Sequence, residues 1–391
     1  MTQFLIRCFI KNSENIRSPK VRAAYGILGS VTGIVCNLLL CAAKLVIGSL
    51  SGSIAITADA FNNLSDIASS AISLLGFKLG QKPADAKHPF GHGRFEYLSA
   101  LFISLLIMVL AVQLGISSFN KILNPEKLQF SLISLIILLL AVGVKLWLSA
   151  FNKKLGKKID SASMAATAAD SLNDVLSTSA AIISMLAVLV IDFPLDGYLG
   201  LVVACFVMYS GFSIARDTIN PLLGEAPPKE LVQAIKEELL SNKYVLSIHD
   251  LTVHNYGPGR RFASVHVEVP GNANIVDVHN MIDQAELKIL NKMGIVITIH
   301  MDPIDTDDAK TNRLRDMAAN AIQRIDGRLT LHDFRIIDGS SRIVLLFDVV
   351  VPPGYPLEPE KLQGLIQKEI AAIDPIYHCV IHIDYDYAIA K

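Results

Sequence analysis

The sequence predicts a polytopic α-helical membrane domain with six transmembrane helices, followed by two cytoplasmic α+β units of ferredoxin-like αββαβ order in tandem. Residues 26–220 are mostly long apolar runs, whereas residues 227–391 mix charged and apolar residues as soluble proteins do. Charged residues make up only 18% of the chain, compared with about 25% in soluble domains. Within residues 227–391, the order of predicted helices and strands occurs twice.

Six apolar stretches are each long enough to cross a bilayer, which takes about 20 residues. Their predicted bounds are 26–48, 54–79, 95–120, 128–150, 162–191 and 196–219. Basic residues cluster before the first stretch and in the loops after the second and the fourth, while the other loops carry only Lys121 and Lys127. The positive-inside rule therefore predicts that both termini and the soluble region lie in the cytoplasm. We expect a multi-pass protein of the inner (plasma) membrane.

Composition argues against several other classes of protein. The formal net charge of −1 shows no basic excess, so we expect no nucleic-acid partner. None of the five cysteines belongs to a CxxC pair, which argues against a disulfide framework or a thiolate metal site. Residues 1–12 lack the apolar core and cleavage site of a signal peptide, so we expect no cleaved leader.

Carboxylates and amides interrupt the second apolar stretch. Asp59, Asn62, Asn63 and Asp66 stand at i, i+3, i+4 and i+7, which places them on one helical face. A charged side chain at mid-bilayer costs about 3 kcal/mol, so these groups should face a cavity or a partner instead of lipid. The alternative for the asparagines is hydrogen bonding between helices, and Asp59 could be a helix cap or a gating carboxylate.

The fifth stretch contains Asp170 and Asp174 one helical turn apart, with Asn173 beside them. Two helices that each offer an i, i+4 pair of oxygen ligands can surround one cation. The predicted ligands of this site are Asn62, Asp66, Asp170 and Asp174. Oxygen-only ligands suit hard cations such as Mn²⁺, Mg²⁺ or Ca²⁺, whereas zinc sites usually include His or Cys.

Two lysines, Lys44 and Lys145, also lie inside predicted spans. Their aliphatic stems allow them to extend toward the membrane surface. Both could snorkel in this way, and we assign neither a role in the site.

The loop after the second stretch carries Asp85, His88 and His92. Two histidines and a carboxylate within eight residues can hold a metal ion at the membrane face. The alternative is a solvated turn stabilised by Pro89 and Gly91, and the spacing alone does not separate the two interpretations.

The soluble region is predicted to contain a duplicated αββαβ unit. The first copy has helices at 229–240 and 275–290 and strands at 246–255, 261–269 and 295–302; the second has helices at 312–325 and 357–371 and strands at 331–337, 342–351 and 377–385. Two landmarks recur, since His249-Asp250 matches His332-Asp333 and His300 matches His382. The predicted domains are a cytoplasmic N-terminal segment at 1–25, the membrane domain at 26–220, and αββαβ units at 227–305 and 311–387.

Both αββαβ units contain candidate metal ligands. Those of the first are His249, His266, His279, His300 and Asp302, and those of the second are His332, Asp348, His382 and Asp384. His300 and Asp302 are two residues apart, so they share a face of their strand. The alternative is that these are surface polar residues near strand ends, retained in the second unit by descent without metal binding.

These motifs resemble those of the cation diffusion facilitator family over residues of about 20 to 302. The similarity is most specific at residues 53–55 (SIA) leading to 58–66 (ADAFNNLSD), and at residues 83–85 (PAD) through 90–96 (FGHGRFE). The resemblance implies a homodimeric, proton-coupled exporter of divalent metal in the lipid bilayer. It also implies a transport site at Asn62, Asp66, Asp170 and Asp174, a loop site at Asp85, His88 and His92, and sites at a cytoplasmic dimer interface. The residues of those cytoplasmic sites are His249, His266, His279, His300 and Asp302.

The combination of Asn62 with three aspartates, in place of the histidine of zinc-type members, resembles the bacterial manganese-exporting branch of the family. The expected function is therefore Mn²⁺ efflux from the cytoplasm by proton antiport with alternating access, with Mn²⁺ as substrate and Zn²⁺ or another divalent metal in the cytoplasmic sites. Zinc or iron export is the alternative within the family. A membrane-anchored metal sensor or metallohydrolase is the alternative of another class, but no catalytic motif supports an enzyme.

Overall fold

The computed structural model describes residues 2–16, 18–51, 54–124, 132–187, 195–305, 307–339 and 342–385. The chain divides into two compact units, Met1–Gly224 with Asn255–Arg260, and Glu225–His254 with Arg261–Lys391. The ends of two predicted apolar stretches, residues 128–131 and 188–191, lie outside the described residues.

The first unit consists of helices. They are α1 (Thr2–Phe9), α2 (Pro19–Ser51), α3 (Ile54–Gly80), α4 (Phe95–Leu123), α5 (Leu132–Ile159), α6 (Ala162–Ala187) and α7 (Leu195–Leu223). Among the described residues, four helices are long and apolar enough to cross a membrane, namely α4, α5, α7 and the Pro19–Ile47 part of α2. The other two long helices, α3 and α6, are the ones whose sequences contain the predicted carboxylate ligands.

The long helices pack mainly in pairs, α4 with α7, α2 with α3, and α5 with α6. Small residues allow α4 and α7 to approach closely. A Cβ atom on Gly200 of α7 would lie 2.3 Å from the Ser118 Oγ of α4, so a larger residue at position 200 would require the Ser118 side chain or the helices to shift.

A buried ion pair joins three segments of the helical unit. The Arg22 guanidinium donates to both carboxylate oxygens of Glu96, at 2.5 and 2.9 Å. It also donates to the backbone carbonyls of Ile159 and Asp160, at 3.0 and 3.2 Å. Because the Glu96 side chain is only 4% exposed, this bidentate pair fixes the start of α4 to α2 and to the connection between α5 and α6.

We expect Glu96→Gln to lower the free energy of unfolding by about 2 kcal/mol, because glutamine keeps the size but loses the charge-assisted hydrogen bonds. Thermal unfolding in detergent measures the change. The matched control is Asp196→Asn, which removes a more exposed 2.6 Å ion pair with Lys121 and should cost less than about 1 kcal/mol. Equal losses in the two variants would contradict a special role for the Arg22–Glu96 pair.

The second unit contains the αββαβ order twice. The first repeat comprises α8 (Lys229–Leu240), β1 (Ser247–Asn255), β2 (Arg261–Pro270), α9 (Ile275–Met293) and β3 (Ile295–Ile304); the second comprises α10 (Ala309–Ile325), β4 (Thr330–Asp338), β5 (Ile343–Val351), α11 (Pro359–Ala371) and β6 (Tyr377–Tyr385). The sheets have the orders β1-β2-β3 and β4-β5-β6, with the last strand parallel to its neighbour in each.

Each repeat has its own apolar core beneath its helices. The helix ends follow from local chemistry. The Asn274 side chain caps α9 by accepting from the backbone N–H of Val276 and Asp277, and the helix continues past its predicted end to Gly294, which adopts a left-handed φ of 70°. Asp308 caps α10 by accepting from the Lys310 N–H, so that helix begins earlier than the predicted residue 312.

Candidate functional site

An ammonium group lies between carboxylates of two different helices in the first unit. The Lys145 Nζ of α5 is 2.5 Å from Asp66 Oδ2 of α3 and 2.5 Å from Asp174 Oδ2 of α6. The Lys145 and Asp66 side chains are 5% and 6% exposed, whereas that of Asp174 is 30% exposed. The geometry brings two predicted ligands together around one positive charge.

The other predicted ligands of this site differ in their surroundings. Asp170 is buried one turn before Asp174 on α6, whereas Asn62 is exposed. Asn63 is buried. Its amide nitrogen donates to Asp66 Oδ2 at 3.3 Å, and its amide oxygen accepts from Lys44 Nζ at 3.2 Å. The side chain of Asp59 is outside the part of α3 whose side chains are described.

Neither Lys44 nor Lys145 reaches a surface in the structure, since both are only 4% exposed. Lys145 lies beside the carboxylates of Asp66 and Asp174, and Lys44 lies beside the Asn63 amide oxygen. Burial with polar partners therefore replaces snorkelling. Charge pairing could have indicated this for Lys145, because a lysine inside one apolar span and aspartates inside two others need partners in the same low-dielectric region.

The predicted loop cluster converges in space. Asp85 Oδ1 is 3.3 Å from His88 Nδ1, Asp85 Oδ2 is 3.4 Å from His92 Nε2, and the two imidazole rings lie 4.6 Å apart. The His92 Nδ1 lies 3.1 Å from the Pro83 carbonyl oxygen, which orients the ring. All three side chains present ligand atoms within 4.8 Å of one another.

The same residues also form a turn, so the two interpretations of the loop are compatible. The backbone N–H groups of His88 and Lys87 donate to Asp85 Oδ1 at 2.7 and 2.9 Å. These bonds hold the pKa of the Asp85 carboxyl below its ordinary value, and the bond from His88 has the largest effect. Asp85 is therefore ionised and oriented at neutral pH.

In the first repeat, three of the predicted histidines surround Asp302. His249 Nε2 and His266 Nδ1 lie 3.3 and 2.9 Å from Asp302 Oδ2, and His300 Nε2 lies 3.3 Å from Asp302 Oδ1. Burial, followed by the neighbouring His332, lowers the pKa of His249, which favours the neutral imidazole that metal binding requires.

His279 is not brought into this cluster within the chain. It lies on α9 with its side chain 65% exposed, and its Nδ1 is 3.4 Å from Asp283 Oδ1 one turn further along the helix. A salt bridge between exposed groups of one helix accounts for its local environment.

The second repeat presents a related cluster. His332 Nε2 lies 3.3 Å from Asp384 Oδ2, and His382 Nε2 lies 3.2 Å from Asp384 Oδ1. Asp348 is the register partner of His382 on the neighbouring strand, and burial, followed by the nearby Asp384, raises its pKa. A further ligand atom comes from Asp250, which the sequence did not indicate and which groups with His332 and Asp384 within 4.8 Å.

Comparison with known proteins gives two family matches. Residues 30–223 match the model of the cation efflux transmembrane domain, and residues 227–304 match that of the cation efflux protein cytoplasmic domain. Both matches end before the second αββαβ repeat.

Curated relatives cover about the same part of the chain. An uncharacterized transporter of Methanocaldococcus jannaschii is 30% identical over 280 residues, 70% of this chain and 97% of the relative. The manganese efflux system protein MneS of Bacillus subtilis is 27% identical over 72% of this chain and 96% of its own length. The cation-efflux pump FieF of Cronobacter sakazakii is 29% identical over 71% of this chain and 94% of its own length.

Proposed function

Since the chain belongs to the cation diffusion facilitator family of cation efflux transporters, we propose that it exports Mn²⁺ from the cytoplasm by proton antiport with alternating access. It is a membrane transporter and not an enzyme. The observation that carries the proposal is the convergence of Asp66 and Asp174, from two helices, on one positive charge.

Geometry supports cation binding at this place. The oxygen atoms that contact the Lys145 ammonium at 2.5 Å are held by α3 and α6, so a divalent ion that enters must share or take over the same oxygens. With Asp170 buried beside Asp174, three carboxylates are available to one ion. The Lys145 ammonium thus competes with the transported metal, and its return to the carboxylates favours release of the ion.

Two observations favour manganese over zinc. Every proposed ligand of the transport site, Asn62, Asp66, Asp170 and Asp174, supplies oxygen, and oxygen suits Mn²⁺ better than it suits Zn²⁺. One relative, which matches this chain along nearly its whole length, is named a manganese efflux system protein. Export of zinc or iron through the same site is the alternative.

The ligand chemistry supports the proposal of proton antiport. A carboxylate must be deprotonated to bind a metal ion, so metal binding releases protons and metal release allows protons to return. Alternating access would carry the site from the cytoplasmic side to the other side of the membrane in the metal-bound form.

We place all six long helices, α2 to α7, across the inner membrane, with both termini in the cytoplasm. The helices α3 and α6 have 27 and 26 residues, which at 1.5 Å per residue gives about 40 Å and exceeds the roughly 30 Å hydrocarbon thickness. Several of their polar side chains, including Asp66, Ser70 and Asp170, are buried, which is how a membrane span accommodates polar groups. The domain boundaries proposed are those given by the sequence, 1–25, 26–220, 227–305 and 311–387.

The proposed assembly is a homodimer joined through its cytoplasmic domains. The first repeat matches the family's cytoplasmic domain. The metal ligands proposed there are His249, His266, His300 and Asp302, and their proximity supports this proposal. The exposed His279 would be available to the partner chain. The Asp85, His88 and His92 cluster is proposed as a further metal site at the cytoplasmic face of the membrane.

Flux measurements in proteoliposomes test this function. Purified protein is reconstituted, and uptake of Mn²⁺, Zn²⁺ and Fe²⁺ is recorded separately with and without a pH gradient. We expect the largest flux for Mn²⁺, accelerated when protons move in the opposite direction. A larger zinc or iron flux would favour the alternative substrate, and a manganese flux independent of the pH gradient would contradict antiport.

The side chain at position 170 should influence the choice of metal. Asp170→His is expected to shift the ratio of Zn²⁺ to Mn²⁺ flux toward zinc by roughly tenfold, because imidazole suits zinc better than manganese. Asp170→Asn is the matched control, since it removes the charge but keeps an oxygen ligand and should not gain zinc. An unchanged flux ratio in the histidine variant would exclude Asp170 as a determinant of selectivity.

A further inference from the structure

The two αββαβ repeats arrange histidine and aspartate in the same way. In the first, His249 Nε2 approaches Asp302 Oδ2 at 3.3 Å and His300 Nε2 approaches Oδ1 at 3.3 Å. In the second, His332 and His382 approach the corresponding oxygens of Asp384 at 3.3 and 3.2 Å. The agreement extends to individual atoms, so both repeats retain one local geometry.

The two clusters lie side by side within the second unit. The rings of His249 and His332 stack with their centroids 4.0 Å apart. The backbone N–H of Asp333 donates to Glu268 Oε1 at 3.3 Å, which also links the repeats. Ligand atoms from one repeat are therefore within reach of an ion bound by the other.

One residue of the first repeat joins the second cluster. Asp250 and Asp333 occupy matched places in β1 and β4, and both have left-handed backbone conformations, with φ of 53° and 51°, which non-glycine residues rarely adopt. The Asp250 carboxylate lies within 4.8 Å of the ligand atoms of His332 and Asp384. The Asp333 carboxylate, in contrast, accepts from the guanidinium of Arg335 at 2.7 and 3.1 Å.

The imidazole of His332 lacks hydrogen-bond partners where it lies. The residue is 7% exposed, and among the described residues neither of its ring nitrogens has a partner of acceptable hydrogen-bond geometry. The 3.3 Å approach of its Nε2 to Asp384 Oδ2 is close, but its direction does not suit a hydrogen bond. Buried polar atoms are rarely left unsatisfied, and coordination of a metal ion would satisfy this one.

We propose that Asp250, His332 and Asp384 form a second divalent-cation site of the soluble unit, that this site spans both repeats, and that an ion bound there fastens the repeats together within one chain. The three side chains supply one nitrogen and two carboxylate ligands, a set that Zn²⁺ and Mn²⁺ both accept. His382, which contacts the other oxygen of Asp384, is placed to complete the ligand set. The proposal concerns binding and does not depend on which ion is transported.

Counting bound ions on the purified full-length protein in detergent tests the proposal. The protein is equilibrated by dialysis against Zn²⁺ alone or Mn²⁺ alone, and bound metal is measured by elemental analysis. We expect His332→Ala to bind one ion fewer per chain than the wild type with at least one of these metals. Equal stoichiometry with both metals would overturn the proposal, whatever the outcome of the flux measurements.

A pair of matched variants tests whether the site crosses between repeats. Asp250→Asn is expected to weaken metal binding at the proposed site of Asp250, His332 and Asp384 at least tenfold. The substitution removes a carboxylate ligand, while asparagine still tolerates the left-handed backbone. Asp333 has the same backbone conformation but lies outside the cluster. The Asp333→Asn variant should therefore bind metal with the affinity of the wild type. Asp250 is exposed, so its variant remains informative even if His332→Ala fails to fold. Equal affinities for Asp250→Asn and Asp333→Asn would overturn a site shared by both repeats.

Discussion

Replacing Asp66 by alanine is expected to abolish Mn²⁺ efflux, with a loss of roughly 100-fold or more, because the variant lacks a carboxylate on which the transported ion depends. Asp174 still holds the Lys145 ammonium at 2.5 Å, so the helical unit should remain folded. Manganese flux in proteoliposomes gives the activity, and size-exclusion chromatography gives the folded and oligomeric state.

The matched control for this variant is Asp196→Ala. Asp196 lies in the first turn of α7, pairs with Lys121 at 2.6 Å and is not one of the ligands of the proposed site. Its removal should leave Mn²⁺ flux within about twofold of the wild type, since surface ion pairs contribute little. Normal flux in Asp66→Ala would contradict the assignment of the transport site.

Lys145→Met is expected to destabilise the protein in the absence of divalent metal by about 3 kcal/mol or more, because it leaves buried carboxylates without their counter-charge. Mn²⁺ should restore stability to a greater extent than it stabilises the wild type. In the variant the ion supplies the missing positive charge without first displacing an ammonium group, and a ligand that binds only the folded state stabilises it by mass action.

Thermal midpoints with and without Mn²⁺ measure this difference. Lys145→Arg, which keeps the positive charge at nearly the same place, is the matched control and should respond to Mn²⁺ no more strongly than the wild type. An equal Mn²⁺ response in Lys145→Met and the wild type would show that the ammonium and the metal do not compete. The competition proposed for Lys145 would then be wrong, while the assignment of Asp66 would still be tested by flux.

The transporter family and the long helices could be predicted from sequence, because apolar runs and loop charges are patterns that extend over whole segments of the chain. Helical spacing also indicated that Asp66, Asp170 and Asp174 belong to polar faces. Helical spacing could not show that Lys145 lies between Asp66 and Asp174, because the spacing along one helix does not determine which neighbouring helix a residue faces. Asn62 and Asn63 show the same limit, because adjacent residues differ in burial once α3 packs.

In the soluble unit too, some features of the sites could be predicted from sequence and others could not. Alternation along a strand predicted that His300 and Asp302 share a face, and the structure places them 3.3 Å apart. The matched His332, His382 and Asp384 could be identified because the duplication repeats their spacing. The contribution of Asp250 could not, because it depends on a left-handed residue that breaks the alternation and on the packing of one repeat against the other.

In the mechanism proposed above, the lysine between the acids would also influence how membrane voltage acts on transport. When ionised, Asp66, Asp170, Asp174 and Lys145 have a combined charge of −2, which one divalent cation cancels. A loaded site can therefore reorient with little electrical work, whereas an empty one carries two negative charges through a field that costs about 2.3 kcal/mol per charge for each 100 mV crossed. In the antiport proposed above, voltage would slow the return of the empty carrier, and the protons that enter in exchange would remove that penalty.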